Sequence, residues 1–288
     1  MNTLLSRPAK RLFTFGCSFT KYVWPTWANI VASELAIPFW NYAEGGAGNQ
    51  YIFNMIMQAD ALHKFTEDDA IMICWSGVTR EDRCIDSEWQ LYGNIFNNPM
   101  ASVNGKSRWA NAPWIRAQKF LSGWGDTDGF LVRDLAFVKA VVELINSRGC
   151  QLTQLSMMGF GLEDSLGETI PINEVLQLTY SNYIEQIKPS FYQVLWDNDL
   201  ENKQRINQTR VGKQYNDNHP WPCEHMNYIE KVLDYQFSDR VRQDVEDAQQ
   251  TIDGRISGKI QASQPGIEFP KTFPQGLPRR GIYKSAGI

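Results

Sequence analysis

The chain has 288 residues, of which 43% are hydrophobic, a length and composition that suit one α/β domain with insertions. Its formal net charge is −4, from 28 Lys and Arg against 32 Asp and Glu without a basic stripe, which argues against nucleic acid as a partner. No apolar run approaches the roughly 18 residues of a membrane span, and residues 1–10 lack the apolar core of a secretory signal.

Short runs rich in β-branched and aromatic residues alternate with helix-like segments along the chain. Strands are predicted at residues 12–17, 39–42, 70–75, 151–157 and 191–196. Helices are predicted at residues 27–35, 50–62, 131–147 and 224–235. The alternation predicts a mostly parallel five-stranded sheet with helices on both faces.

Two insertions and a C-terminal extension flank this pattern. The core domain is predicted over residues 1–236, with insertions at about 83–129 and 160–190, and the extension covers 237–288. The first insertion contains four tryptophans that either form a platform for sugar rings or pack as a small core of their own: Trp89, Trp109, Trp114 and Trp124. The extension ends in a Pro- and Gly-rich arm, which is either flexible or docked on another surface, in a larger assembly or on a second copy of the chain.

Five cysteines occur without a Cys-x-x-Cys spacing. An odd number in this arrangement argues against a disulfide framework and against a zinc site. We therefore expect a soluble protein made in a cytoplasm, with neither a metal nor an organic cofactor.

The first predicted strand ends abruptly at residues 16–20, Gly-Cys-Ser-Phe-Thr. Ligands of open α/β sheets bind at the carboxyl ends of the strands, and a small residue before Ser18 lets the chain turn so that its hydroxyl projects into the crevice. Far downstream, Asp217 and His219 supply the carboxylate and imidazole that turn a hydroxyl into a nucleophile. The combination predicts a serine hydrolase.

Four short blocks resemble those of the SGNH/GDSL hydrolase superfamily: residues 16–20, residues 41–49 (Asn-Tyr-Ala-Glu-Gly-Gly-Ala-Gly-Asn), residues 70–80 and residues 217–225. The resemblance implies a flavodoxin-like three-layer α/β/α fold. It also implies cleavage of esters, including acyl groups on carbohydrates.

The same resemblance implies roles for residues of the first three blocks. Ser18 takes the nucleophile position and contributes its amide to the oxyanion hole, and the amide of Gly48 is the second donor. The third block lacks the expected asparagine near Gly77, so the side chain of Asn49 or of Arg80 is the candidate replacement, Arg80 as a substrate contact. Loss of one such donor costs roughly 3–4 kcal/mol of transition-state stabilisation.

The last block implies His219 as the general base and Asp217 as the acid that orients it, with one residue fewer between them than is usual. At the usual spacing Asn216 would stand in the acid's place, and Asp197, after the fifth predicted strand, is the reserve acid. Trp221, two residues beyond His219, is a further candidate substrate contact.

Two histidines remain outside this assignment. His225 is expected to be a structural histidine of a helix under the site, with its polar atoms satisfied. His63 is expected at a solvated helix end.

Residues 19–28, 46–49 and 80–83 also resemble uncharacterised SGNH-type proteins of tailed bacteriophages, cyanophages especially. Two functions follow from the sequence. The first is a serine esterase or deacylase acting on an acylated glycan or a small ester, with acyl transfer as a variant on the same residues. The alternative is a structural or glycan-binding protein of a phage particle that keeps the fold with weak or no catalysis.

Overall fold

The computed structural model describes residues 4–94, 127–160, 174–212, 217–257 and 273–276. Its strands are β1 (Arg11–Phe15), β2 (Phe39–Asn41), β3 (Asp69–Trp75), β4 (Arg80–Ile85), β5 (Glu88–Asn94) and β6 (Gln151–Ser156). Its helices are α1 (Trp27–Leu35), α2 (Asn49–His63), α3 (Thr127–Ser147), α4 (Glu174–Ile184), α5 (Phe191–Trp196), α6 (Leu200–Val211), α7 (Pro222–Leu233) and α8 (Asp239–Ile256).

The central sheet has four parallel strands in the order β2-β1-β3-β6. Counted among the parallel strands alone, this is the order 2-1-3-4 of flavodoxin-like sheets. The chain moves outward in one direction from β1 to β2 and in the other from β1 to β3. The crevice beyond the carboxyl ends of β1 and β3 is therefore the position where such folds bind ligands.

Both faces of this sheet are covered. All seven residues of β3 are buried, and its near-continuous apolar run suits a parallel strand between two helical layers. The helices form two packed groups: α2 contacts α3 and α3 contacts α4, whereas α1, α7 and α8 contact one another and α5 joins α7. The predicted α/β/α architecture is confirmed.

The predicted fifth strand is wrong, because residues 191–196 form helix α5. The Oγ atom of Ser190 accepts the amide of Gln193 at 3.1 Å, which caps the helix at its start. A mostly apolar run of six residues is ambiguous between a strand and a buried helix. At the outer edge of β6, a single parallel bridge between Gln154 and Ile187 stands where a fifth strand would lie.

The first predicted insertion begins with an antiparallel hairpin of β4 and β5. Trp89 of this hairpin packs edge-on against Tyr51 of α2, with ring centroids 5.5 Å apart. The hairpin is thereby attached to the core domain. The other three tryptophans of the insertion lie outside the described residues, so the sugar platform stays a prediction.

The C-terminal extension contacts the core through α8 and through residues 273–276. Val241 and Val245 of α8 are fully buried in the main hydrophobic core. Phe273 is 2% exposed in the same core, and the side-chain amide of Asn29 donates to the carbonyl of Pro274 at 2.8 Å. This part of the arm lies on the chain's own domain, whereas a domain boundary at residue 236 remains a prediction. Within the described ranges, no helix combines the length and apolar character of a membrane span.

Candidate active site

The turn after β1 depends on Gly16. A Cβ at this position would lie 2.0 Å from the Oγ1 of Thr20 and 3.0 Å from the carbonyl oxygen of Cys74. The amides of Thr20 and Lys21 donate to the carbonyl of Cys17 at 2.9 and 3.1 Å. The chain therefore closes one tight turn directly around residue 18.

Ser18 lies in this turn at the carboxyl end of β1, beside the crevice between β1 and β3. It is 8% exposed, so it is sheltered from bulk water without being sealed in. Among the residues that the structure describes, neither its hydroxyl nor its amide has a hydrogen-bonding partner. The hydroxyl of Ser18 is therefore not hydrogen-bonded to His219 in this structure.

Asp217 and His219 form a compact dyad. The Oδ1 of Asp217 lies 2.6 Å from the Nδ1 of His219 and also accepts the amide of His219 at 2.9 Å. Burial acts to raise the pKa of Asp217, but hydrogen bonds from His219 and Tyr22 outweigh it, and the pKa is lowered. An ionised carboxylate only accepts hydrogen bonds, so Nδ1 of His219 is the donor in this contact.

The dyad packs against the loop that follows Ser18. The ring of Phe19 lies 5.7 Å from the imidazole of His219, and the ring of Tyr22 stacks on that imidazole at 3.9 Å. The indole N–H of Trp24 donates to the carbonyl of Pro220 at 2.9 Å. The fold thus brings together two segments about two hundred residues apart.

Tyr22 is the residue of this site that sequence reasoning missed. Its hydroxyl donates to the Oδ2 of Asp217 at 2.6 Å. A lone tyrosine in a loop carries no motif, and its contact is long-range. Its position at the site follows from the hydrogen bond to Asp217 and from the stacking of its ring on His219.

The Gly48 amide was expected to be open to an oxyanion, and the structure differs on this point. The amide donates to both carboxylate oxygens of Asp82, at 2.9 and 3.0 Å, and the amide of Tyr51 donates to Oδ2 at 2.9 Å. Asp82 therefore caps the N-terminus of α2 from the hairpin. Burial raises the pKa of Asp82 to about 6 even though these hydrogen bonds oppose the shift.

Asn49 is also engaged, so its side chain is not a free oxyanion donor. It is fully buried, and its Nδ2 donates to the carbonyl of Ser76 at 3.0 Å and to the Oδ2 of Asp134 at 2.7 Å. Its Oδ1 accepts the amide of Ser76 at 2.8 Å. Asn49 fastens the start of α2 to the end of β3. Burial raises the pKa of Asp134 to about 6, with the charge of Arg133 acting against the shift.

Arg80 reaches toward the turn that contains Ser18. Its guanidinium donates to the carbonyl of Ala47 at 3.0 Å and contacts the Sδ of Met157 at 3.3 Å. The same sulfur lies 3.8 Å from the Sγ of Cys17, the residue before Ser18. Arg80 is therefore linked through Met157 to the turn that contains Ser18, and its role as a substrate contact stays a prediction.

Trp221 and Asp197 are the two other sequence candidates that the structure describes. Trp221 is 1% exposed, stacks on Trp24 at 5.7 Å and donates its indole N–H to Asn207 at 2.7 Å. It is packed as a core residue, and its role as a substrate contact stays a prediction. Asp197 is an exposed, left-handed C-cap of α5 with φ of 50°, and its role as the reserve acid likewise stays a prediction.

The two remaining histidines differ from their expected settings. His63 accepts or donates a 2.7 Å hydrogen bond with the hydroxyl of Tyr42 and packs beside Phe13 and Trp40, so it is not a solvated helix end. His225 is fully buried in α7, as a structural histidine should be. Both of its ring nitrogens lack a partner among the described residues, however, and burial holds its pKa well below the ordinary value.

A buried ion pair supports the chain beyond His219. The Nζ of Lys203 is fully buried and lies 2.5 Å from the Oε2 of Glu224, which also accepts the amide of Trp221 at 2.7 Å. The indole of Trp196 donates to the other oxygen of Glu224 at 3.1 Å. Burial lowers the pKa of Lys203 although Glu224 opposes the shift. This network fixes the first turn of α7 and with it the loop that carries the dyad.

No family model matches the chain, and no curated protein matches it. Among solved structures, it is similar to a member of the lipolytic protein G-D-S-L family from Veillonella parvula DSM 2008. That similarity has a TM-score of 0.39 and 15% sequence identity, and it covers 77% of this chain and 97% of that chain.

Proposed function

We propose that this protein is a serine ester hydrolase in which Ser18 is the nucleophile, His219 the general base and Asp217 the group that orients the base. The observation that carries the proposal is the packing of the Asp217–His219 dyad on the loop directly after Ser18. The imidazole lies 5.7 Å from the ring of Phe19, the neighbour of Ser18. Nucleophile, base and orienting carboxylate are the parts that such a reaction needs.

The chemistry follows from the protonation of the dyad. The Oγ of Ser18 forms a bond to the ester carbonyl carbon while the Nε2 of His219 takes its proton. The tetrahedral intermediate then expels the alcohol, which leaves with that proton, and an acyl-serine remains. Water attacks the acyl-serine with His219 again as base, and the acid is released as Ser18 regains its proton. This cycle uses no metal or organic cofactor.

The oxyanion is held in this proposal by the amide of Ser18 and the guanidinium of Arg80. The structure has the Gly48 amide bound to Asp82 and the Asn49 side chain bound to Ser76 and Asp134. Arg80 uses one N–H on a carbonyl and directs another at a sulfur. A guanidinium has five N–H donors, so Arg80 retains donors for the developing negative charge.

The proposed substrate is an acylated carbohydrate. Support comes from the resemblance of the sequence blocks to ester hydrolases that act on such groups, and from the tryptophan-bearing insertion that follows β3 at the carboxyl edge of the sheet. Trp89 of this insertion packs on α2 rather than facing a ligand.

The rival function is a glycan-binding or structural protein, for instance of a virus particle, that keeps the fold with little catalysis. The occupied amide of Gly48 and the occupied side chain of Asn49 favour it, because both groups were expected to serve the oxyanion. Fold alone does not decide between the two functions.

Labelling by a fluorophosphonate and turnover of an aryl acetate test the proposal together. The wild-type protein is expected to react with both, and Ser18→Ala to abolish labelling and to lower turnover at least about a thousandfold. Ser147→Ala is the matched control, because its hydroxyl donates only to Leu144 within the exposed end of α3. An unlabelled wild-type protein with no turnover refutes the proposed hydrolase, and turnover retained by Ser18→Ala overturns the assignment of the nucleophile.

A further inference from the structure

Tyr22 contacts both members of the proposed acid–base dyad. Its hydroxyl donates to the Oδ2 of Asp217 at 2.6 Å. Its ring lies over the imidazole of His219 with centroids 3.9 Å apart and planes inclined by 17°. One side chain therefore fixes the carboxylate by a hydrogen bond and the imidazole by stacking.

The short spacing between Asp217 and His219 explains why such a contact matters. With one residue between them, the carboxylate folds back so that Oδ1 takes both the Nδ1 and the backbone amide of His219. The second oxygen then points away from the histidine, toward the loop that carries Tyr22. The hydrogen bond from Tyr22 prevents rotation of the carboxylate, since each oxygen then has its own donor.

Tyr22 is itself held in place by Trp24. Trp24 meets its ring edge-on, with centroids 4.5 Å apart and planes inclined by 74°, and donates its indole N–H to the carbonyl of Pro220. On the far side of the dyad, the side-chain amide of Asn207 donates to the carbonyl of Asp217 at 3.0 Å. The loop after β1 and the loop before α7 are thus joined through Tyr22 at the dyad.

We propose that Tyr22 is a positioning residue, which holds Asp217 and His219 in the orientation that the proton transfer from Ser18 requires. This inference rests on the proposed function. When His219 takes the proton of Ser18, the imidazolium lies against the face of an aromatic ring, an arrangement that attracts a cation. The hydrogen bond from Tyr22 keeps the carboxylate aligned with Nδ1 through the same step. Tyr22 takes no proton itself and acts through Asp217 and His219.

The test compares Tyr22→Phe, which keeps the ring and removes the hydroxyl, with Tyr22→Leu, which removes both. We expect Tyr22→Phe to lower kcat for an aryl acetate roughly ten- to hundredfold, with KM changed less than about twofold, and Tyr22→Leu to lower kcat further. Tyr235→Phe is the matched control, because Tyr235 donates an equivalent 2.7 Å hydrogen bond to the carboxylate of Glu34 elsewhere in the fold. The control is expected to leave kcat unchanged.

A double-mutant cycle separates positioning from a structural role. In an Asp217→Ala background, Tyr22→Phe is expected to change kcat less than about twofold, because the acceptor of its hydroxyl is already gone. Equal losses of kcat in both backgrounds would show that Tyr22 does not act through Asp217.

The proton resonance of Nδ1–H in His219 gives a readout that does not require turnover. We expect Tyr22→Phe to move this resonance upfield and to speed its exchange with water, while Tyr235→Phe leaves it in place. An unchanged resonance in Tyr22→Phe overturns the inference even in an inactive protein. A shifted resonance in a protein without turnover or labelling retains the positioning role and refutes only the proposed hydrolysis.

Discussion

The backbone amide of Gly48 donates to both carboxylate oxygens of Asp82, at 2.9 and 3.0 Å. Gly48 precedes α2, whereas Asp82 belongs to the hairpin that opens the first insertion. The negative end of Asp82 therefore meets the positive end of the helix. The sequence block assigns Gly48 to substrate binding, but close packing of the hairpin against the start of α2 explains the glycine equally well.

Substitution of Gly48 by alanine is predicted to destabilise the fold. The added Cβ would lie 2.8 Å from the Oδ2 of Asp82 and 2.9 Å from the Cβ of Arg80, so the hairpin must shift. We expect Gly48→Ala to lower the free energy of unfolding in urea by about 1–3 kcal/mol. Gly45→Ala is the control, because no atom lies within 4 Å of the Cβ that it would add, and a change within roughly 0.5 kcal/mol is expected. Equal stabilities of the two variants would contradict the packing role of Gly48.

The buried carboxyl of Asp82 predicts a specific dependence of stability on pH. Burial raises its pKa from 3.8 to about 6. Between these values the folded protein keeps a proton that the unfolded chain has released, so the free energy of unfolding falls as pH rises through this window. The retained proton on Asp82 contributes roughly 3 kcal/mol to the free energy of unfolding. This contribution is fully present below pH 3.8 and is lost as pH passes about 6. Asp134, with its pKa also raised to about 6, adds a slope of the same sign.

Asp82→Asn tests this assignment in urea titrations between pH 4 and 7. An amide oxygen in the place of Oδ2 still accepts the amides of Gly48 and Tyr51, so the fold should be retained. In the wild-type protein the free energy of unfolding falls as pH rises from 4 to 7. We expect this fall to be about half as large in Asp82→Asn, with the remainder arising from Asp134. Asp86→Asn, in the exposed left-handed turn of the same hairpin, should leave the decline as it is in the wild-type protein. A variant Asp82→Asn with the wild-type slope would refute the raised pKa.

The parallel sheet and its edge were predictable from sequence because their signals are local. The strand at Ala70 to Trp75 is a continuous buried apolar run, and the Gly-Cys-Ser turn marks where β1 ends. The helix over residues 191–196 was not predictable from periodicity, since so short a run of mostly apolar residues fits either structure and the cap at Ser190 favours the helix.

The site was only partly predictable because its remaining contacts join distant segments. Asp217 and His219 are close in sequence, and a motif can include both. Asp82, by contrast, reaches Gly48 across 34 residues, and Tyr22 reaches Asp217 across 195 residues. No spacing rule connects such pairs. The hydrogen bond of the Gly48 amide to Asp82 and the contacts of Tyr22 with the dyad are therefore visible only in the folded chain.

The buried pair of Lys203 and Glu224 predicts a large cost for removing one partner alone. Lys203→Met leaves a buried carboxylate whose remaining donors among the described residues are Trp196 and Trp221. We expect the free energy of unfolding to fall by about 3–5 kcal/mol. The double variant Lys203→Met with Glu224→Gln should recover most of that loss, because no unpaired charge remains. Urea unfolding at pH 7 measures both, and a double variant less stable than Lys203→Met would refute the explanation by unpaired charge.

In contrast to Lys203, His225 is expected to be replaceable without a loss of stability. It is fully buried, its ring nitrogens have no partner among the described residues, and burial keeps its pKa well below the ordinary value, so it stays neutral. A buried polar group without a partner costs about 1–3 kcal/mol, and an apolar side chain of similar size avoids that cost. We expect His225→Leu to unfold at equal or higher urea concentration and to keep its reaction with a fluorophosphonate. His219→Leu should abolish the reaction while leaving the fold intact. Loss of labelling in a folded His225→Leu protein would mean that the wrong histidine has been taken as the base.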